Sequence, residues 1–536
     1  MTAPVRSDGR VWWRDAVVYQ IYTRSFADGN GDGIGDLPGI TAHLDDLAGA
    51  EHALGVDAIW LCPFYVSPMV DYGYDVADHC AVDPQFGSLH DFDVLLAEAH
   101  RHGIRVLVDF IPNHTSDQHP WFEESRASRK AEKRDWYVWS DPAPGGGPPN
   151  NWLSSFERVG PAWTLDQRTG QYYLHSYTPQ QPDLNWWNPR VREAMQDVLR
   201  FWLDRGVDGV RIDAPHRMIK DPRLRDNPPE VARMRRAYGP TSAPFRNLDH
   251  PSVHAILRSF RRVLDGYDDR VAVGEVGIAS LPDMARYYGR GDELHLVFNF
   301  DFWRQPWSAR AFAQAVEAYE AALPPDAWPD YALSNHDLPR ARSRYDERGL
   351  GGQRARLMAM MLLTLRGTPF LYYGEEIGMR DGSIDSAQAH DPDGRDGART
   401  PMQWSATVHA GFAAKDPWLP IPSSARIVNV ETQRADRGSL LNLYRRLLAL
   451  RRSSAALRHG EHRRVDENHE AVFAYVRRHA QERFLVALNF SDRIATLELD
   501  PTLGEPILVL STRPDRLNLE RPMTVAANEG VIARLP

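Results

Sequence analysis

Four stretches of this sequence end an apolar, strand-like run on groups that could do chemistry. In Gly206-Val-Asp-Gly-Val-Arg-Ile-Asp-Ala-Pro215 the run ends on Asp213, with Arg211 two residues earlier on the same face of a strand. A guanidinium beside a carboxylate favours its charged form, and an ionised carboxylate at a strand end could attack the anomeric carbon of a sugar. A purely structural ion pair fits the same two residues. The other three stretches are Asp109-Phe-Ile-Pro-Asn-His114, Val271-Ala-Val-Gly-Glu275 and Ser334-Asn-His-Asp337. Carboxyls on neighbouring strands, as Asp213 and Glu275 would be, are the minimum for breaking a glycosidic bond. One attacks or stabilises the anomeric carbon, and the other, kept protonated, donates to the leaving oxygen. Asp337 could hold neighbouring hydroxyls and raise the proton affinity of Glu275 by like-charge repulsion. Taken singly, His114 and His336 suit a structural hydrogen bond as well as a ligand contact.

A fifth stretch, Asp28-Gly-Asn-Gly-Asp-Gly-Ile-Gly-Asp36, sets oxygen side chains at Asp28, Asn30, Asp32 and Asp36 between glycines. A hard cation such as calcium or magnesium needs such donors. The stretch matches the first half of a calcium loop but lacks its distal glutamate, and a glycine-rich turn without metal is the other reading.

Strands and helices that would position these groups alternate along the chain. Strands are expected over Val17–Phe26, Ala58–Leu61, Arg105–Phe110, the run ending at Asp213, Val271–Glu275, Leu294–Phe300, Tyr331–Ser334 and Pro369–Tyr373. Between them, helical spacing covers Gly39–Leu54, Leu89–His102, the face Val191, Ala194, Met195, Val198, Leu199, Trp202, and Val253–Asp265. Eight strands alternating with helices predict a (β/α)8 TIM barrel, whose catalytic groups gather at the C-terminal ends of the strands. Residues 115–182 break the rhythm and predict an inserted subdomain after strand three. A second insertion follows strand eight and ends at the helix containing Leu440, Tyr444, Leu447 and Leu448. Residues 1–114 and 183–455 are thus assigned to the catalytic barrel. Residues 456–536, with short apolar runs at Val472–Tyr475, Phe484–Leu488, Ile507–Leu510 and Gly530–Ala533, predict a C-terminal antiparallel β domain.

The 536 residues carry a net charge of −9, which gives no basic footprint for nucleic acid or an anionic membrane. Two cysteines, Cys62 and Cys80, are too few for a disulfide framework and lack zinc-ligand spacing. The N-terminal residues carry no apolar signal segment, and no run of about 18 apolar residues occurs, so a soluble, cytoplasmic protein is expected.

Asp109-Phe-Ile-Pro-Asn-His114, Gly209-Val-Arg-Ile-Asp213, Val273-Gly-Glu275 and Ser334-Asn-His-Asp337 resemble, in order and spacing, the four signature regions of the α-amylase family of glycoside hydrolases. Gln181-Pro-Asp-Leu-Asn185 resembles the fifth region of its oligo-1,6-glucosidase and α-glucosidase branch. The resemblance implies a retaining mechanism with Asp213 as nucleophile, Glu275 as general acid/base and Asp337 as transition-state stabiliser. It implies contacts to a terminal glucose from Asp71, Tyr74, His114, Arg211 and His336, with Arg399 closing the pocket and Tyr177 at its rim. It implies a structural Ca2+ (or Mg2+) held by Asp28, Asn30, Asp32, the carbonyl of Ile34, and Asp36. Members resembling isomaltases place valine after the nucleophile, so Ala214 implies a preference for α-1,4 links such as those of maltose and malto-oligosaccharides. A transglucosidase or sucrose-isomerising enzyme would share these residues. A non-catalytic scaffold relative would carry a membrane helix and eroded carboxylates.

Overall fold

Eight short, buried strands pair in parallel in the computed structural model of the protein, which describes residues 11–234, 243–278, 280–385, 387–465, 469–519 and 522–536. They are β1 (Val18–Ile21), β2 (Ala58–Leu61), β3 (Arg105–Phe110), β4 (Gly209–Ile212), β5 (Val271–Gly274), β6 (Leu296–Val297), β7 (Asp330–Ala332) and β8 (Thr368–Tyr372). Their order, β6-β5-β4-β3-β2-β1-β8-β7, is that of a (β/α)8 barrel. Strands covered on both faces read as unbroken apolar runs, as Val271–Gly274 does. Close pairing has a steric requirement at Gly209, where a Cβ would come within 2.6 Å of the Val271 carbonyl.

Between β6 and β7 the ladder gives way to side chains. Tyr319 Oη lies 3.0 Å from the Val297 carbonyl and 2.9 Å from Asp330 Oδ1. Burial pushes Asp330 well above the usual carboxylate range. The Tyr319 hydroxyl faces both acceptors, and its bond to Asp330 opposes that push.

Three expected elements are shorter than their apolar runs. The first strand stops at Ile21, and Thr23–Phe26 forms a helical turn whose Thr23 hydroxyl donates to the Cys62 carbonyl at 2.8 Å. The helix expected over Gly39–Leu54 is two pieces, Leu37–Ala42 and Leu44–Leu47, broken at the non-helical His43. The strand expected over Leu294–Phe300 keeps only Leu296–Val297, because Asn299 Oδ1 accepts from the amides of Asp301 and Phe302 and starts a helical turn. Periodicity does not register such caps, which win locally by satisfying otherwise orphaned N–H groups.

The chain leaves the barrel after His114 and returns at Asp183, and these two residues form an antiparallel bridge. Between them lie the helix Pro120–Ala127 and a three-stranded sheet around Trp152, Ala162, Trp163 and Leu174. At the C-terminus a five-stranded antiparallel sheet packs Phe473, Tyr475 and Val486 on the barrel, and Val472, Ala474 and Ala487 on a second small core. One of its edge strands, Glu461–Val465, escapes sequence reading because its polar, half-exposed residues carry no apolar run. Among the described residues, no helix is long and apolar enough to cross a membrane.

Candidate active site

Register builds the site. Asp109 on β3 pairs with Arg211 on β4, and Arg211 pairs with Val273 on β5. The ladder continues past the strand ends, with Asp213 N donating to Phe110 O at 2.8 Å and Glu275 N to Ile212 O at 3.0 Å. Both carboxyls are therefore anchored through their own backbone. Arg211 Nη1 donates to Asp109 Oδ1 at 2.6 Å and Asp213 Oδ1 at 2.8 Å, and Nη2 donates to Glu275.

One buried guanidinium shared among three carboxyls leaves the cluster short of positive charge. Burial pushes Asp213 up to about 6, against the pull of Arg211 and with repulsion from Asp109 and Asp337. Burial pushes Glu275 further, to about 8, because Asp213 and Asp337 both repel its charged form. Asp337 goes the other way. Burial opposes its ionisation, but His336, Arg395 and Arg399 outweigh it and hold it below the usual carboxylate range. Near neutral pH the site thus presents two ionised carboxylates and one protonated carboxyl, the division of roles that glycoside cleavage needs.

The pocket above these groups is lined by Asp71, Tyr74, His114, Tyr177, Ala214 and His336 together with Asp213, Glu275 and Asp337. His336 is oriented by Gln20, whose Nε2 donates to Nδ1 at 2.7 Å, which leaves Nε2 facing the Tyr74 hydroxyl at 2.7 Å. His114 Nε2 donates to the Tyr74 carbonyl at 3.0 Å, and Tyr177 packs edge-on against the His114 ring at 5.2 Å. Within the fifth signature stretch, Gln181 Nε2 donates to Asp71 Oδ2 at 2.9 Å, while buried Asp183 accepts from Lys220 at 2.7 Å. That stretch therefore braces the pocket wall from behind.

Two expected contacts stand one layer back. Arg211 lies beneath the carboxyls and is 1% exposed. Arg399, expected to close the pocket, is fully buried and donates to Asp391 at 3.0 Å and the His336 carbonyl at 2.8 Å. The pocket is closed by Arg395, which reaches Asp71 at 2.5 Å and Asp337 at 2.9 Å and rests against the Phe156 ring at 5.1 Å. Sequence matching chose the second of two arginines four apart. The overlooked signal is the spacing Asp391, Arg395, Arg399, which places all three charges together. Phe156, His216, Arg217 and Phe300, which also line the pocket, carried no motif.

None of Asp28, Asn30, Asp32, Ile34 and Asp36 lines the pocket. Their side chains turn onto the loop's own N–H groups. Asp28 accepts from Gly31 at 2.6 Å and Gly33 at 2.9 Å, Asn30 from Asp32 at 2.9 Å, and Asp32 from Ile34 at 2.8 Å. Asp36 caps the following helix by accepting from Gly39 at 2.6 Å. Among the described residues no three His, Cys, Asp or Glu side chains converge as a metal site. Yet Asp28, Asp32 and Asp36 have no cationic partner among them, and each carboxylate keeps acceptor capacity beyond these bonds.

A parallel barrel with a nucleophilic and a protonated carboxyl at its C-terminal mouth is the arrangement of a glycoside hydrolase. The sequence matches the family described as "Alpha amylase, catalytic domain" over residues 20–460. It is 44% identical to a probable alpha-glucosidase of Rhizobium meliloti, covering 94% of each chain. It is 37% identical to an oligo-1,6-glucosidase of Halalkalibacterium halodurans, covering 95% of this chain and 96% of that one. The solved structure of an alpha-glucosyl transfer enzyme, XgtA, superposes with a TM-score of 0.91 at 41% identity, covering 98% of this chain and all of that one. This chain belongs to the α-amylase family of glycoside hydrolases.

Proposed function

We propose that the protein is a retaining, exo-acting α-glucosidase that releases terminal glucose from the non-reducing end of short α-glucosides. The observation that carries the exo reading is Arg395. It lines the pocket and is bonded at once to Asp71, Asp337 and Asp391, so a fixed ion-pair cluster forms one wall, as a pocket that receives a chain end requires. The same hydroxyl-facing groups, Asp71, His114 and His336, then bind that ring, while Asp213 attacks C1 and Glu275 protonates the departing oxygen.

Linkage preference rests on Ala214, which lines the pocket directly after the nucleophile at φ 39°. Its small side chain leaves space for an α-1,4-linked sugar beyond the bond. Wild type is expected to cleave maltose faster than isomaltose, and Ala214→Val to shift the ratio of their kcat/KM values towards isomaltose by roughly 10-fold. Because a β-branched residue is strained at positive φ, the melting temperature should fall in the same variant. An unchanged ratio in the folded variant would remove the linkage assignment. Glucose release from maltose, isomaltose and sucrose tests the function as a whole.

A second reading is favoured by the likeness to an alpha-glucosyl transfer enzyme. A glucosyl-enzyme resolved by a sugar instead of water would give oligosaccharide products at high substrate concentration, visible by chromatography.

For the loop at Asp28–Asp36 we propose a structural Ca2+ (or Mg2+) held by Asp28, Asn30, Asp32, the Ile34 carbonyl and Asp36. Three carboxylates without a cationic partner among the described residues support it. Chelation is expected to lower the melting temperature and added calcium to restore it, with kcat at 25 °C unchanged. Asp28→Ala should abolish that calcium dependence; a melting temperature indifferent to chelator and calcium alike would refute the site.

A further inference from the structure

Beside the catalytic pocket, which measures ≈ 80 Å³, the described residues enclose a second cavity of ≈ 490 Å³. It lies between the inserted subdomain, represented by Arg134 and Trp139, and the segment after β4, represented by Met218 and Leu224, with Asn185 and Trp187 between them. Of the chain's sixteen tryptophans, Trp187 alone is exposed, at 39%. Leaving so large an apolar ring in water forgoes burial that the other tryptophans obtain.

Trp187 is nevertheless held in place. Its indole N–H donates to the Lys220 carbonyl at 3.0 Å, and His250 packs against it edge-on at 5.3 Å. With its one donor already bonded, what the ring offers a visitor is its apolar face. Around it the polar groups are also fixed, since Asn185 Nδ2 donates to the Asp135 carbonyl at 2.9 Å and Asn185 Oδ1 accepts from Trp187 N at 3.2 Å. Three of the charged residues in the wall are paired, Lys220 with Asp183 at 2.7 Å, Asp221 with Arg225 at 2.7 Å and Arg129 with Asp141 at 3.0 Å, while Arg134 donates to the neutral Gln171 and Thr169 side chains.

A cavity of this size, with aromatic surface and a few placed polar groups, is of the kind that takes a small ligand. A fixed aromatic plane with amide and charged side chains at its margin, among them Asn185, Gln171 and Arg134, fits a molecule with one flat C–H face and a hydroxylated edge, which is a pyranose. We propose that this cavity is a second, non-catalytic binding site for a neutral oligosaccharide of the α-glucoside class, with Trp187 as the stacking surface. The choice of α-glucosides rests on the functional reading above; the sugar-binding character of the cavity does not.

The test is a calorimetric titration of maltotriose into full-length protein carrying Asp213→Asn, with the catalytic pocket saturated by 1-deoxynojirimycin. Saturable one-to-one binding is expected, weakened about tenfold or more by Trp187→Ala and largely restored by Trp187→Phe. Trp187→Ala in the otherwise wild-type chain should leave aryl glucoside hydrolysis at 25 °C unchanged, with a lower melting temperature from the lost bond to Lys220 and packing on His250. Absence of binding to the blocked protein, or binding that Trp187→Ala does not alter, overturns the proposal. Failure of the α-glucosidase reading would show separately, as no glucose released by wild type; maltotriose titrated without the inhibitor then still reads the cavity through Trp187.

Discussion

Asp213→Asn is expected to lower glucose release from maltose by roughly 10^4-fold or more, the scale of loss when a covalent nucleophile is removed. The substitution keeps side-chain shape and an oxygen able to accept from Arg211 Nη1, whose contact with Asp213 is 2.8 Å in the native site. Arg211 also retains Asp109 and Glu275, so no buried cation is orphaned and the fold should survive. What is lost is the negative charge that forms the bond to C1. The asparagine variant should therefore bind substrate and unfold at nearly the native temperature while turning over almost none. Activity within tenfold of wild type would mean that Asp213 is part of the ion-pair network and nothing more.

Glu275→Gln should cost about 10^2- to 10^4-fold on maltose, the usual contribution of a general acid. The loss in the glycosylation step should be much smaller with a nitrophenyl glucoside, whose leaving group departs without a proton. Wild-type kcat/KM requires Asp213 ionised and Glu275 protonated. It should therefore rise as pH increases through about 6 and fall as pH increases through about 8. These limbs belong to the coupled pair. In Glu275→Gln the alkaline limb should vanish while the acidic limb stays near its native position, because Glu275 is already uncharged where Asp213 titrates. A profile that keeps its alkaline limb would assign that limb to another group and remove Glu275 as the acid. The pH dependence of kcat/KM for the two proteins, with both substrates, decides it.

Much of this was legible in one dimension, for identifiable reasons. Parallel strands buried on both faces read as apolar runs, so Arg105–Phe110 and Val271–Gly274 declare themselves. Asp213 and Glu275 stand one residue beyond β4 and β5, where such runs stop and the barrel mouth begins. Residues on loops gave no comparable signal. Arg395 sits on the long connection after β8, where no periodicity ties a side chain to a face. It stands four residues before Arg399, which carries the same charge and shares Asp391 with it, so only the spacing of the three distinguishes a cluster there. Phe156 and Arg217 reach the pocket from the inserted subdomain and from the turn after β4, positions that only the packed chain makes neighbours.

By itself, the order of residues determined the barrel and the carboxyls at its mouth, because each is a local pattern of burial and polarity. Only the tertiary structure decided which arginine closes the pocket. The same is true of how one guanidinium divides itself among Asp109, Asp213 and Glu275, and of where an exposed tryptophan meets a cavity. Those are matters of distance between segments far apart in the chain, and distance sets both the Coulomb energies that separate the proton affinities of Asp213 and Glu275 and the space left for a sugar.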